Sequence, residues 1–157
     1  MTFMEELVLV LKKELDVLKD LKELTFEKTD LIISNQIKEL EATTKKEEDL
    51  INQVALLEEE REKLLDTWGV GPDTPISNII ERIPGDKGDL PLIKDEMHHV
   101  MEELFLRNKL NRDLIEENLQ WIDFNINLIS NMQVQPSYGK DTKDSKVPGK
   151  SIFDRKV

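Results

Sequence analysis

The sequence predicts an all-α protein, an elongated up-and-down helical bundle with a flexible C-terminal tail. Apolar residues recur at spacings of three and four through three long segments, the period of an amphipathic helix. Glycine and proline are confined to the connections, the first turn of the last segment and the tail. Aromatic residues make up 5% and charged residues 35% of the chain, which suits a thin bundle. We expect a bundle domain over residues 1–132 and a tail over residues 133–157.

The first long helix is expected to start at a capping box formed by Thr2 and Glu5 and to end near Ile33. Its inward row is rich in leucine and continues loosely beyond the fifth member: Leu7, Leu11, Leu15, Leu18, Leu21, then Leu24, Lys28 and Leu31. This row is strong evidence for a helix and indicates no particular function.

The first turn is placed at Ser34 and Asn35, two capping residues between periodic segments. The second long helix then runs from Gln36 to about Thr67. Its inward row begins Ile37, Leu40, Thr44, Glu47, Ile51 and Val54, and from Leu50 a better fit is Leu50, Val54, Leu57, Arg61, Leu64 and Trp68. It makes a poor continuous coiled coil because its inward positions include the polar residues Thr44, Glu47 and Arg61. A very short connection forces two long helices antiparallel, so they form an αα-hairpin.

A short helix is expected next. Residues 68–72 hold two glycines and a proline, which stop the second helix. Thr74 then caps a helix with Pro75 at its first position, ending near Ile83. Its buried side consists of Ile76, Ile79, Ile80 and Ile83. We expect this helix to cross the end of the bundle, so that the last helix runs back along the hairpin.

The last helix is the longest periodic pattern, from Asp89 to Asn131. Asp89 is its candidate N-cap, and Pro91 is tolerated because the first turn needs no amide donors. About 43 residues at 1.5 Å rise give a helix roughly 65 Å long.

Two apolar rows follow the second half of this helix. The leucine–aromatic row is Leu110, Leu114, Trp121, Phe124 and Leu128, with Glu117 at the remaining step. The asparagine–isoleucine row is Asn108, Asn111, Ile115, Asn118, Ile122, Asn125 and Ile129. The rows lie about 100° apart and cover roughly half the surface, more than one neighbouring helix covers. The two rows therefore require two partner surfaces. Either both rows pack on helices of the bundle, or one receives a different protein or a second copy of the chain.

The charge and composition of the chain restrict the classes of partner that it is expected to bind. The net charge is −11, and from Val134 onward six basic residues face three acidic ones, so the tail carries +3 and the body −14. An acidic body disfavours nucleic acid and anionic lipid, and no run of 18 apolar residues is present to span a membrane. Glu5 and Glu6 stand where a secretory signal would be basic, and the absence of cysteine fits a reducing cytosol.

The tail contains isolated aromatic and apolar residues among Lys and Asp: Tyr138 and the pair Ile152 and Phe153. Its composition predicts flexibility in isolation. The apolar residues then serve either as anchors of a segment that folds on binding or as contacts with the protein's own body.

The sequence contains no pattern that favours a catalytic or metal site. His98 and His99 diverge by about 100° on a helix, and His98 with Glu102 gives only two ligands. The acidic clusters are typical of solvated helix faces, and no P-loop or G-x-S-x-G elbow occurs. We therefore expect no enzyme, metal or cofactor.

The pattern resembles the FlgN family of flagellar export chaperones over nearly the whole chain. The resemblance rests on the leucine-rich first helix, on residues 40–47, 57–65 and 79–84, and on the segment from Leu110 to Leu128. The tail adds the most specific pieces, Tyr138-Gly139 and residues 151–156.

The resemblance implies a cytosolic, non-enzymatic chaperone. It would hold hook–filament junction (hook-associated) proteins before export, shield their terminal helices from aggregation and pass them to the export gate. Carried over, the leucine–aromatic row would receive the client and Tyr138 would contact the export gate. The alternative is a coiled-coil scaffold that forms a homodimer through the same row and has no role in export.

Overall fold

The computed structural model describes residues 1–132, which form α1 (Phe3–Ile33), α2 (Ile37–Thr67), α3 (Ile76–Arg82) and α4 (Leu90–Met132). The all-α class is confirmed, and each helix starts and ends within one residue of the sequence prediction. No helix among the described residues is long and apolar enough to cross a bilayer. The predicted tail lies outside the described residues.

α1 is the middle helix of the bundle. It packs along both α2 and α4, while α3 packs on α4. α4 runs parallel to α1, because the ion pairs between them advance along both helices together: Lys12–Asp89, Lys19–Glu96 and Lys22–Glu103. α2 runs antiparallel to α1, as the short connection predicts. Its pairs with α1 move in opposite directions along the two helices: Glu14–Arg61 and Lys28–Glu47.

The apolar core lies at the end of the bundle where α1 begins and α2 ends. Its buried members come from all four helices: Leu7, Val10, Leu11, Leu15, Leu18, Leu65, Ile79, Ile80, Leu90, Ile93, Met97, Val100 and Leu104. Trp68, expected in the inward row, is half exposed and packs its ring on Phe3 at 5.5 Å between centroids. The prediction was wrong there because α2 ends at Thr67, so Trp68 leaves the helical row.

The helix ends follow local chemistry. Thr2 and Glu5 form the predicted capping box: the Glu5 amide donates to Thr2 Oγ1 at 3.2 Å, and the Thr2 amide donates to Glu5 Oε2 at 2.8 Å. Asn35 ends α1 with φ 55° and Gly69 ends α2 with φ 73°. After each, the amide of the next residue donates to the carbonyl five residues earlier, Leu31 and Leu65 respectively, which closes a Schellman motif.

The predicted Thr74 cap is wrong. The residue at the N-cap of α3 is Pro75, with ψ 144°, and no side chain caps the helix. Thr74 belongs instead to the preceding turn, where its amide donates to the Gly71 carbonyl at 3.0 Å. Ser34 likewise closes α1 rather than opening α2, because its hydroxyl donates to the Asp30 carbonyl at 2.7 Å.

A polar layer replaces the apolar core toward the other end of the bundle. Lys28 of α1 and Glu47 of α2 form a buried ion pair, with Nζ 3.1 and 3.2 Å from the two carboxylate oxygens. On the opposite flank, the Thr29 hydroxyl donates to Asn111 Oδ1 at 2.6 Å, and Asn111 Nδ2 donates to the Thr25 carbonyl at 3.0 Å. Burial of these groups is compatible with folding because each one has a partner.

Candidate partner-binding surface

α4 is longer than the hairpin on which it packs. It begins beside the start of α1 and reaches the α1–α2 turn at Ile115 and Leu119, which border a small cavity together with Leu31 and Ile37. The remaining part of α4, residues 120–132, is here called the distal segment. At 1.5 Å per residue it extends roughly 20 Å past the turn.

The asparagine–isoleucine row is the one that faces α1. It continues, at the same three- and four-residue steps, the buried row of the first half of α4: Leu90, Ile93, Met97, Val100 and Leu104. Asn111 is buried against α1, and Ile115 is half-buried. Ile122 lies beyond the end of α1 and is exposed. The row therefore loses its neighbour where the hairpin turns.

The leucine–aromatic row lies about 100° around the helix from the row that packs on α1. Leu114 is half-buried, and the other four members are exposed by 42% (Leu110), 68% (Trp121), 64% (Phe124) and 50% (Leu128). Ile126, on another side of the distal segment, is exposed as well. Large apolar side chains thus surround a helix that has no intramolecular neighbour among the described residues.

More exposed apolar residues lie in the first half of α4: Met101, Phe105 and Leu106. Leu106 is one turn before Leu110 and extends the leucine–aromatic row, whereas Met101 and Phe105 lie on the flank that faces α2. The predicted apolar rows begin at Asn108 and Leu110 and do not include these three residues. Their i, i+4 spacing was the available signal.

The charge of the distal segment fits a polypeptide partner. Between residues 120 and 132 only Asp123 is charged, so the segment offers apolar contacts and no basic groups for phosphate. The acidic residues of the bundle lie farther back along the helices. Burial of exposed aromatic and aliphatic side chains is therefore the main contribution that this segment makes to binding.

His99 forms part of a charged cluster between α1 and α4. His99 Nε2 lies 2.8 Å from Glu103 Oε1, and Lys22 Nζ lies 2.7 Å from the other oxygen of that carboxylate. The hydrogen bond from Lys22 is the main reason that the pKa of Glu103 is lowered. No group of three or more histidine, aspartate or glutamate side chains within residues 1–132 is arranged to hold a metal.

Comparison with known proteins agrees with this architecture. The family model described as FlgN protein matches residues 1–146, and the chain belongs to this family, whose members are flagellar export chaperones. The uncharacterized protein YvyG of Bacillus subtilis (strain 168) is similar to the chain, with 28% identity over 139 residues that cover 85% of the chain and 86% of YvyG. No solved structure shows a significant match.

Tyr138, Ile152 and Phe153, which the sequence singles out as tail anchors or gate contacts, lie outside the described residues. The members of the leucine–aromatic row thus lie along one side of α4, whereas the roles of the three tail residues stay predictions.

Proposed function

We propose that this flagellar export chaperone works in the cytoplasm, binds the terminal helices of hook–filament junction proteins and delivers them to the export gate. The observation that carries the proposal is the distal segment of α4, which is apolar on several sides and extends past the hairpin. Family membership supports the export role, and the segment supplies a surface on which a client helix is held.

The client is expected to bind as a helix laid along α4. An amphipathic client helix places anchors at i, i+3, i+4 and i+7, which match the three- and four-residue steps of the leucine–aromatic row. Binding of this kind needs no nucleotide, because burial of apolar surface drives it. Release at the export gate then requires competition for the same surface.

The size of the effect follows from the exposed area. Full burial of a large apolar side chain contributes about 1.5–3 kcal/mol, and the row is roughly half exposed, so the five residues contribute about 4–8 kcal/mol gross. Association and ordering of the client remove part of this gain. A complex of roughly micromolar affinity is expected when neighbouring residues of α4 add their contacts.

The experiment measures binding of the full chain to terminal-helix peptides of hook–filament junction proteins by calorimetry. The double variant Trp121→Ala/Phe124→Ala is expected to bind about 100-fold more weakly, because hot-spot aromatics each contribute 1 kcal/mol or more. Circular dichroism should remain helical, since neither side chain packs in the core. A matched control is Leu9→Ala/Leu56→Ala, which removes two exposed leucines from α1 and α2.

Retention of near-wild-type affinity by the Trp121/Phe124 variant would contradict the proposal. Sedimentation of the purified chain tests the scaffold alternative, since the same exposed row could join two copies. A tight dimer that the double variant dissociates, together with no affinity for the peptides, would favour the scaffold.

Delivery to the gate is assigned to the tail. The resemblance to the family makes Tyr138 the candidate gate contact and Ile152 with Phe153 additional anchors. Tyr138→Ala is expected to leave client binding unchanged and to reduce capture by the purified export gate protein. Loss of client binding in this variant would contradict the assignment of gate binding to the tail and client binding to α4.

A further inference from the structure

A second surface lies on the opposite half of the protein from the distal segment. α2 and α4 diverge on either side of α1 and leave a groove of about 720 Å³ between them, here called the α2–α4 groove. Its apolar lining comes from all four helices and the N-cap of α3: Leu18, Val54, Pro75, Ile76, Met97 and Met101. Its charged lining is mixed, with an excess of carboxylates: Glu14, Glu58, Asp95 and Glu102 against Arg61 and Lys94.

Glu14 gives this groove a specific chemical feature. Its side chain is 4% exposed, and Oε2 accepts a hydrogen bond from Arg61 Nη1 at 3.1 Å. The other oxygen, Oε1, is buried and accepts no hydrogen bond. Burial raises the pKa of Glu14 to about 7, against the opposing effect of Arg61, and Glu58 and Glu60 of α2 raise it further. The groove therefore holds a buried, incompletely hydrogen-bonded carboxylate beside three other acidic side chains, which favours a cationic occupant.

The C-terminal residues of the chain have the complementary chemistry. The segment 150–156 contains three basic residues, Lys150, Arg155 and Lys156, and one acidic residue, Asp154, around the apolar pair Ile152 and Phe153, a net charge of +2. Side chains two positions apart lie on the same side of an extended segment, so Phe153 and Arg155 are able to face one surface together. The tail as a whole carries +3 and the rest of the chain −14, which favours their association.

The connecting chain is long enough. Met97 and Met101 lie 31 to 35 residues before the end of α4, a distance of roughly 45–55 Å along the helix. The 21 residues from Met132 to Phe153 span up to about 70 Å when extended. Attachment to the same chain also raises the effective concentration of the segment, to roughly 0.1 mM, because the span is about twice the r.m.s. length of a flexible 21-residue chain.

The geometry points to the chain's own segment 150–156 as the occupant of the α2–α4 groove, with Phe153 against Val54 and Met101 and Arg155 beside the carboxylates that line the groove. This inference goes beyond client binding and does not depend on it. The distal segment stays free for a client while Ile152 and Phe153 are covered by the bundle. A partner that binds those two residues then has to displace them from the groove.

The test uses the full chain with a nitroxide label at Ser151→Cys, a unique attachment site because the chain has no cysteine. The label is expected to broaden the NMR amide signals of Val54, Met97 and Met101. Arg155→Gln or Glu14→Gln should lower the docked fraction about ten-fold, as expected for loss of one attraction between opposite charges. Glu59→Gln and Lys143→Gln change the charge equally outside the groove and should leave the broadening unchanged.

Several outcomes would overturn the inference. These are broadening at Ile115 and Leu119 in place of the groove, no broadening anywhere, or equal broadening in the Arg155→Gln chain. Broadening that disappears on dilution with unlabelled protein would place the segment on a second copy and overturn docking within one chain. Arg155→Gln and Phe153→Ala lie outside the bundle, so they keep the test decisive if Glu14→Gln fails to fold.

Discussion

Replacement of Glu47 by glutamine should lower the free energy of unfolding by about 3 kcal/mol, because it leaves the Lys28 ammonium buried beside a neutral group. The Lys28 and Glu47 side chains are 2% and 1% exposed, and both carboxylate oxygens lie within 3.2 Å of Nζ. Removal of one partner of such a pair typically costs about 3–5 kcal/mol. The lower end applies here, since the glutamine oxygen still accepts one hydrogen bond.

The matched control is Glu59→Gln, which breaks the Glu59–Lys63 pair on the surface of α2. Those side chains are 57% and 74% exposed, so the free energy of unfolding should change by less than about 0.5 kcal/mol. A second comparison is Lys28→Met/Glu47→Leu, which replaces both charges with apolar groups. This variant should be within about 1 kcal/mol of the parent or more stable, because desolvation of two charges offsets most of their attraction.

Urea unfolding followed by circular dichroism measures all three variants, and a constant urea dependence would show that the same surface is exposed on unfolding. A loss below about 1 kcal/mol for Glu47→Gln would contradict a desolvated ion pair. Equal losses for Glu47→Gln and for the double apolar variant would mean that shape, rather than charge, matters at this layer.

Two further predictions concern stability. The first uses an Arg155→Gln chain, in which binding of segment 150–156 to the α2–α4 groove is weakened. Burial raises the pKa of Glu14 from 4.5 to about 7. The contribution of this carboxyl group to stability is therefore full below pH 4.5 and is lost as the pH rises through 7. The stability gained by adding Glu14→Gln should thus grow by roughly 2–3 kcal/mol between pH 5 and pH 8 in urea titrations, and a pH-independent difference would contradict the burial of this carboxyl. Gly69→Ala should lower the free energy of unfolding by about 1 kcal/mol, because φ is 73° at this residue. A steric clash does not add to this loss, since no atom lies within 4 Å of an added Cβ. Thermal unfolding measures the loss, and an unchanged stability would contradict the left-handed C-cap.

The helices could be predicted because local signals agreed. Three- and four-residue periodicity gave the segments, and glycine and proline marked their ends, so each boundary lies within one residue of the prediction. Thr74 was misplaced because a threonine before proline suits both an N-cap and a turn, and only the backbone of Pro75 decides between them.

The partners of the polar residues could not be predicted. Glu47 and Arg61 stood out as interruptions of the α2 row, but their pairing with Lys28 and Glu14 depends on the register of the hairpin. That register is consistent: a move of 14 residues back along α1 matches a move of 14 residues forward along α2. A periodic apolar row predicts which face of a helix is buried, but it does not predict the position of one helix along the axis of its neighbour.

The assignment of the two rows of α4 was partly accessible from the sequence. The asparagine–isoleucine row continues the apolar steps of the first half of the helix, which marks it as the side that faces α1. The exposure of Ile122 could not be predicted from the sequence, because it depends on where the hairpin turns relative to α4. The distal segment is therefore a product of unequal helix lengths rather than of any single motif.

Hydrogen exchange of the full chain, with and without a junction-protein terminal helix, tests the distal segment as a client site most directly. Without client, amides of residues 120–128 should exchange much faster than those at Leu11 or Val100, because no other helix within residues 1–132 packs on the distal segment. Saturating client should slow exchange in residues 120–128 at least ten-fold and leave the core amides unchanged. Protection confined to other helices, with residues 120–128 still exchanging rapidly, would contradict the account.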